Sequence, residues 1–203
     1  PVKGAVLAVH GHGKAAQAQP ITGGPGLLTR ELLAGGNAVL CIDTFLTGEF
    51  QHPLTGSERK QYKFPDTFLP TDTACRIHDI VTAAAFLRSE IDAPMAVTGI
   101  GDAGILALFA AAVDPGIAKV VADTNGFDPH SDAQWVEKYY MPCIRSVGDL
   151  NTVAAMLAPR PVELINCANA EAWRDFGAAY TRAAGPEGSL VVVETAGSTA
   201  AGS

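Results

Sequence analysis

The sequence predicts a three-layer α/β/α sandwich around a mostly parallel sheet of about six strands, and three observations carry that expectation. Six short apolar runs recur along the 203 residues: "GAVLAV" (4–9), "NAVLCI" (37–42), "PMAVTG" (94–99), "AKVVAD" (118–123), "PVELIN" (161–166) and "SLVVVE" (189–194). Most are continuously apolar rather than alternating, as strands covered on both faces are. Between them lie helical patterns at 26–34, 72–89, 103–113, 147–157 and 170–184. Strand and helix therefore alternate, which calls for parallel strands joined by right-handed crossovers.

The first strand ends in the turn "HGHG" and a long Gly/Pro loop, "GKAAQAQPITGGPG", before the first helix. The helix at 72–89 places Ile77, Ile80, Val81, Ala84 and Leu87 at three- and four-residue spacing, with Asp72 or Thr73 as its cap. The third strand runs into a glycine turn, "GIGDAG", and then an Ala/Leu-rich helix at 103–113, where Asp102 stands at the N-cap. Two stretches interrupt the alternation: 44–70, rich in Gly, Pro and charge, and 126–146, which carries Trp135, Tyr139 and Tyr140. Such excursions are commonly functional loops. The aromatics read either as a sugar-binding wall or as packing beneath the loop. No internal repeat is present, and the Gly/Ala/Ser tail after Glu194 reads as frayed or truncated. A single domain over 1–203 is expected, as part of a longer chain or alone.

An apolar fraction of 48% is enough for a large core. A net charge of −7 without a run of Lys or Arg argues against a nucleic-acid surface. Cys41, Cys75, Cys143 and Cys167 form no C-x-x-C pair, so they read as buried thiols rather than a metal knuckle or redox motif. No segment approaches the roughly 18 apolar residues of a membrane span. The start reads as a strand, not a signal peptide, which leaves the compartment open.

In an open parallel sheet, ligands bind beyond the carboxyl ends of the strands. The residues there are His10, Gly11, His12 and Gly13; Asp43; Gly101 and Asp102; Asp123 and Asn125; Asn169; and Ser198. The "HGHG" turn reads as backbone N–H groups facing a developing oxyanion, or as a plain turn with two solvated imidazoles. His10 or His12 with Asp43, Asp102 or Asp123 would also make an acid–base or metal constellation, although H-x-H alone is a weak signal and no metal is expected. A dinucleotide fingerprint, G-x-G-x-x-A from Gly11 to Ala16 with Asp43 beyond it, is undone by Pro20 and "TGGPG", which prevent an immediate helix. Lys14 does not sit in a phosphate-binding loop either, so no cofactor is expected. Arg76 and His78 read as helix-surface residues, and His52 and His130, in the two long loops, read either as pocket residues or as solvated ones.

The order "VLAVHGHG", "AVLCIDTFLTGE", "DTACRIHDIVTAAAFLRS", "VTGIGDAGILALFAAA" resembles the α/β-hydrolase superfamily, most of all its acetyl xylan esterase and dienelactone-hydrolase-like branch. The resemblance implies an oxyanion turn at Gly11 and His12, and a nucleophile elbow, G-x-S-x-G, at 99–104. It also implies an acid after "PRPVELIN", a histidine after "LVVVE", a small-molecule or carbohydrate ester as substrate, and two N-terminal strands that this chain lacks. At those positions Gly101 stands in the serine's place, Asn169 or a neighbour in "CANAEAW" stands near the acid's, and "TAGSTAAGS" offers Ser198 but no histidine. Acyl-enzyme chemistry needs a nucleophile and a base in reach of each other. Three readings stay open. Asp102 is a carboxylate nucleophile, in a frame shifted by one residue; or the rim works through His12 and its acidic neighbours; or the domain binds or supports without catalysis. The unshifted frame, with Gly99 and Gly104 in place, matches the elbow better.

Overall fold

The run GAVLAVH is buried along nearly its whole length and forms the first strand, β1 (Gly4–His10). Five more strands follow: β2 (Asn37–Ile42), β3 (Met95–Ile100), β4 (Lys119–Asp123), β5 (Val162–Cys167) and β6 (Leu190–Glu194). The computed structural model describes residues 2–18, 24–51, 67, 69–184 and 188–194. The six strands make one sheet in the order β2-β1-β3-β4-β5-β6, and every neighbouring pair is parallel.

Six α-helices lie among the described residues: α1 (Leu27–Ala34), α2 (Asp72–Glu90), α3 (Ala103–Val113), α4 (Asp132–Lys138), α5 (Asp149–Leu157) and α6 (Arg174–Ala184). The chain steps outward from β1 to β2, returns across β1 to β3, and then advances in one direction to β6. Right-handed crossovers therefore place α1 on one face of the sheet and the later helices on the other. Helices α2, α3, α5 and α6 pack side by side, while α1 packs on β2. The sandwich has three layers, but α1 alone represents the second outer layer among the described helices.

Helix α3 is apolar all round, and nearly every residue in it is buried between the sheet and helices α2 and α5. A helix without a polar face has no other stable location in water. Around it the core gathers Leu7, Ile80, Met95, Ile105, Leu108 and Leu157.

Several local expectations change. Helix α2 is capped by Thr71, whose Oγ1 accepts a hydrogen bond from Ala74 N at 3.2 Å, and not by Asp72 or Thr73. The 147–157 pattern splits into a 3-10 turn (Ile144–Val147) and α5, because Gly148 takes φ 99°. The 170–184 pattern splits likewise into a 3-10 turn (Ala170–Trp173) and α6. Within the 126–146 excursion a short helix, α4, was not expected. Ser131 caps it, and Trp135 and Tyr139 pack edge-on against Phe127, so these two aromatics fill the core, while Tyr140 is exposed. Among the cysteines only Cys167 is buried; Cys41 and Cys75 are half-buried and Cys143 is exposed, against the expectation of four buried thiols. No helix among the described residues is long and apolar enough to cross a membrane.

Gly104, in the first turn of α3, lies against the backbone of Asp123. A Cβ there would overlap the Asp123 carbonyl oxygen and stand 2.6 Å from its carbonyl carbon. We expect Gly104→Ala to lose about 3 kcal/mol and to melt roughly 6–12 °C below the parent, as read by circular dichroism. An unchanged melting point would show that α3 can shift away from β4.

Candidate functional site

The winding reverses between β1 and β3, and at such a point the loops beyond the strands part and leave a crevice. Their ends are joined by Gly11 N, which donates to Ile100 O at 3.1 Å. A Cβ on Gly11 would lie 3.2 Å from Asp102 N, so the "HGHG" turn rests directly on the β3-to-α3 turn. At that turn Gly101 takes φ 60°, a left-handed conformation that glycine adopts freely, and a Cβ on it would meet nothing within 4 Å. The position faces open space.

Asp123, buried at the end of β4, holds this turn in place. Its Oδ2 accepts from Gly101 N at 3.0 Å, while Oδ1 accepts from Asn125 N at 2.8 Å and from Asn166 Nδ2 at 2.9 Å. Asn125 and Asn166 both have positive φ, 48° and 55°, a conformation that asparagine tolerates better than most residues. Asp102 occupies the N-cap position of α3 with φ −62°, yet its side chain makes no capping bond. Instead Oδ1 accepts from Asn125 Nδ2 at 3.0 Å and from Lys138 Nζ at 3.4 Å, with the side chain half exposed. The capping role expected of Asp102 is thus one of position only, because its carboxylate turns toward α4.

Arg76 is not a free surface residue. It is half-buried, and its Nε donates to Phe45 O at 2.9 Å, while Asp79 one turn along accepts from Phe45 N at 2.8 Å. Burial lowers the Arg76 pKa, opposed by the charges of Asp102 and Tyr139. The Tyr139 hydroxyl is pushed far up by burial first, then by Asp102 and Asp123, with Arg76 pulling the other way. It is fully buried and has no hydrogen-bond partner among the described residues.

In the "HGHG" turn, His12 N donates to His10 Nδ1 at 3.0 Å and Gly13 N donates to His10 O at 2.9 Å. Together with Gly11 N, three successive amides are therefore bonded inside the protein. The acceptor role of Nδ1 leaves the neutral His10 ring with its proton on Nε2. Burial, and then the neighbouring His12, lower the His10 pKa, against the pull of Asp123.

The structure thus gathers Gly11, His12, Gly101, Asp102, Asp123 and Asn125, and adds Asn166, Lys138, Arg76 and Tyr139 to them. Asp43 stands apart. Its side chain is 2% exposed and accepts from Lys14 N at 2.6 Å, Lys14 Nζ at 3.0 Å and Glu49 N at 3.2 Å, so it clasps the loops after β1 and β2. Burial is the largest single influence on its pKa and raises it, but the Lys14 amide and ammonium and the Glu49 amide together hold it below the ordinary value. Asn169 caps the 3-10 turn before α6, with Oδ1 accepting from Glu171 N at 3.0 Å. His78 and His130 are exposed, and His52 and Ser198 lie outside the described residues. Among the described residues no group of three or more His, Cys, Asp or Glu side chains is placed to hold a metal. Of the additions, only Asn166 carried a local signal, an asparagine closing an apolar strand run; the others depend on contacts distant in sequence.

The sheet order, the crossovers and the turn between β3 and α3 define a fold of the α/β-hydrolase type. The solved structures similar to this chain include esterases and hydrolases. A Bacteroides fragilis protein, whose assignment as an acetyl xylan esterase is itself an inference, shares 14% identity at TM-score 0.64, covering 96% of this chain and 59% of that one. The Pyrococcus furiosus esterase Pf2001 shares 17% identity at TM-score 0.62, over 96% of this chain and 74% of its own. A promiscuous CE15 esterase from a marine bacterial metagenome shares 16% at 0.62, over 94% and 69%. Such identities establish a common fold. No protein-family model matches the sequence, and no curated protein matches it.

His10 charges only below its ordinary 6.5. Between that value and the lower folded one the unfolded chain takes up a proton that the folded chain refuses. Stability is therefore unaffected above 6.5 and falls as the pH drops through the folded pKa. We expect the His10 ring resonances to titrate below 6.5, with exchange of the His12 amide accelerating as its acceptor is protonated. Titration above 6.5 in an NMR series would overturn this placement.

Proposed function

We propose that this chain is a hydrolase-fold domain that binds a small ester-bearing or carbohydrate ligand in the crevice between β1 and β3, without serine-type acyl transfer. The observation that carries this reading is Gly101. It holds the left-handed corner from which a nucleophile would project, and offers no side chain there. Oxyanion stabilisation needs donors aimed at the developing charge. The amides of Gly11, His12 and Gly13 are already bonded to Ile100 O, His10 Nδ1 and His10 O, and Gly101 N to Asp123.

Asp102 is poorly set to attack in the serine's stead. It has ordinary helical backbone angles, and the oxygen nearest its neighbours is shared by Asn125 and Lys138. Gly11, His12, Gly101, Asp102 and Asn125 line the proposed site, Asp123 positions the turn, and Asp43 steadies the loops above it. The substrate class is supported by the esterases among the similar structures. No cofactor or metal belongs to this reading.

Acyl-ester turnover tests it. Wild type should show no burst with short-chain p-nitrophenyl esters and no adduct with a fluorophosphonate probe. Asp102→Asn and His12→Ala should stay within about twofold of its background rate. NMR titration with an acetylated oligosaccharide should meanwhile show saturable binding. A stoichiometric burst that disappears in a folded Asp102→Asn protein would establish a carboxylate nucleophile instead, and a tightly bound metal in elemental analysis would favour metal-assisted chemistry.

A further inference from the structure

Strands β3 to β6 bury one face of the sheet and leave the other half open. Val97, Val120 and Leu164 are buried in the core, whereas their chain neighbours Thr98, Val121 and Ile165 are only half-buried. The parallel register sets Thr98 beside Val121, Val121 beside Glu163 and Glu163 beside Val191, so these side chains share the face turned away from α3. Val121, Ile165, Val191 and Val193 neither belong to the core cluster nor pack against it, and the two β6 valines are 49% and 44% exposed. On this side α1 is the one described helix, and it packs on β2 at the far edge of the sheet.

The runs "AKVVAD" and "SLVVVE" are apolar on both faces, the pattern of strands covered twice, yet among the described residues only one cover is present. A contiguous apolar face of this kind marks a contact surface. Its exposed charges are Lys119 and Glu163, paired at 3.3 Å with side chains 46% and 37% exposed. The face is therefore neutral, on a chain of net charge −7 whose other surfaces repel their own copies. One charge of each sign among apolar residues is complementary to itself under a two-fold rotation, as an isologous contact requires.

Four strands about 4.8 Å apart and some five residues long, at about 3.3 Å each, present on the order of 300 Å² in projection. Two such faces, with the relief of their side chains, approach roughly 1,000 Å², the lower end of specific interfaces. The association this area supports is weak and dependent on concentration.

We propose that the open face over β3 to β6 is the interface of a homodimer, in which two copies stack their sheets about 10 Å apart and Lys119 of each copy meets Glu163 of the other. The valines of β4 and β6 and Ile165 then fill the space between the sheets.

Sedimentation velocity on the full chain, from about 5 to 500 μM, tests this, and a monomer–dimer equilibrium with Kd of about 10–100 μM is expected. Val191→Lys should weaken the dimer at least about tenfold and leave the melting temperature within about 2 °C of the parent, because the site is exposed in the monomer. Lys119→Glu and Glu163→Lys should each weaken self-association, the first by placing two carboxylates and the second two ammonium groups on the face. Mixed in equal amounts, those two variants should pair with each other at least as tightly as wild type, since each face then meets one of opposite sign. That recovery reads contact between copies, which a pair confined to one chain cannot give. A wild type that stays monomeric at the highest concentration would overturn the proposal. So would a dimer unchanged by Val191→Lys, which would use another surface, or a mixture of the charge variants that associates no better than either alone.

Discussion

The carboxylate of Asp123 is the interaction on which the strand-end architecture depends. It sits buried at the end of β4, where an unpaired negative charge would be costly, and it is kept there by three N–H donors from three different segments. One donor is the amide of Gly101, and so the β3-to-α3 turn is fixed. Another is the amide of Asn125, which shapes the exit from β4. The third is the Asn166 side chain, which brings in the end of β5. A single side chain thereby ties three successive strand ends into one rim.

The same clamp explains the close approach of α3. Gly104 can rest on the Asp123 backbone only because it has no Cβ, and the bond from Gly101 N to Asp123 Oδ2 crosses the same contact. With α3 pinned at its N-terminus and buried on all sides, the crevice has a rigid wall. Rigidity here is built from donors, and each donor given to the clamp is withdrawn from ligand chemistry. The "HGHG" turn follows the same economy, folding its amides back onto His10 and Ile100 rather than presenting them outward.

How much of this the sequence discloses depends on the range of the contacts. The six strands and α3 are visible because continuous burial leaves a continuous apolar run, and the glycine turn is visible because its spacing is local. Helix α4 is not, since seven residues carry too little periodicity and its stability comes from Trp135 and Tyr139 packing on Phe127. Arg76 reads as a surface residue because the carbonyl it bonds is 31 positions away, and Asp43 reads as a ligand contact because its clasp on Lys14 spans 29. Asp102 illustrates the limit best. Its place at the start of α3 is legible, but the turn of its carboxylate toward Lys138, 36 residues on, is a tertiary choice that no local pattern encodes.

Gly101 then takes on a physical sense of its own. Any residue with a side chain would bear about 1–3 kcal/mol of backbone strain at φ 60°, and a fold retains such strain where a projected group is needed. With glycine the turn is relaxed, and the bond to Asp123 suffices to hold it. Under the proposed reading, nothing at the apex of the turn pulls a ligand toward a covalent step. Recognition would fall instead to the flanks, where Asp102 is balanced by Lys138. On that same reading an elbow without a nucleophile is a stable platform, and selectivity would be set by the groups around the turn rather than by the turn itself.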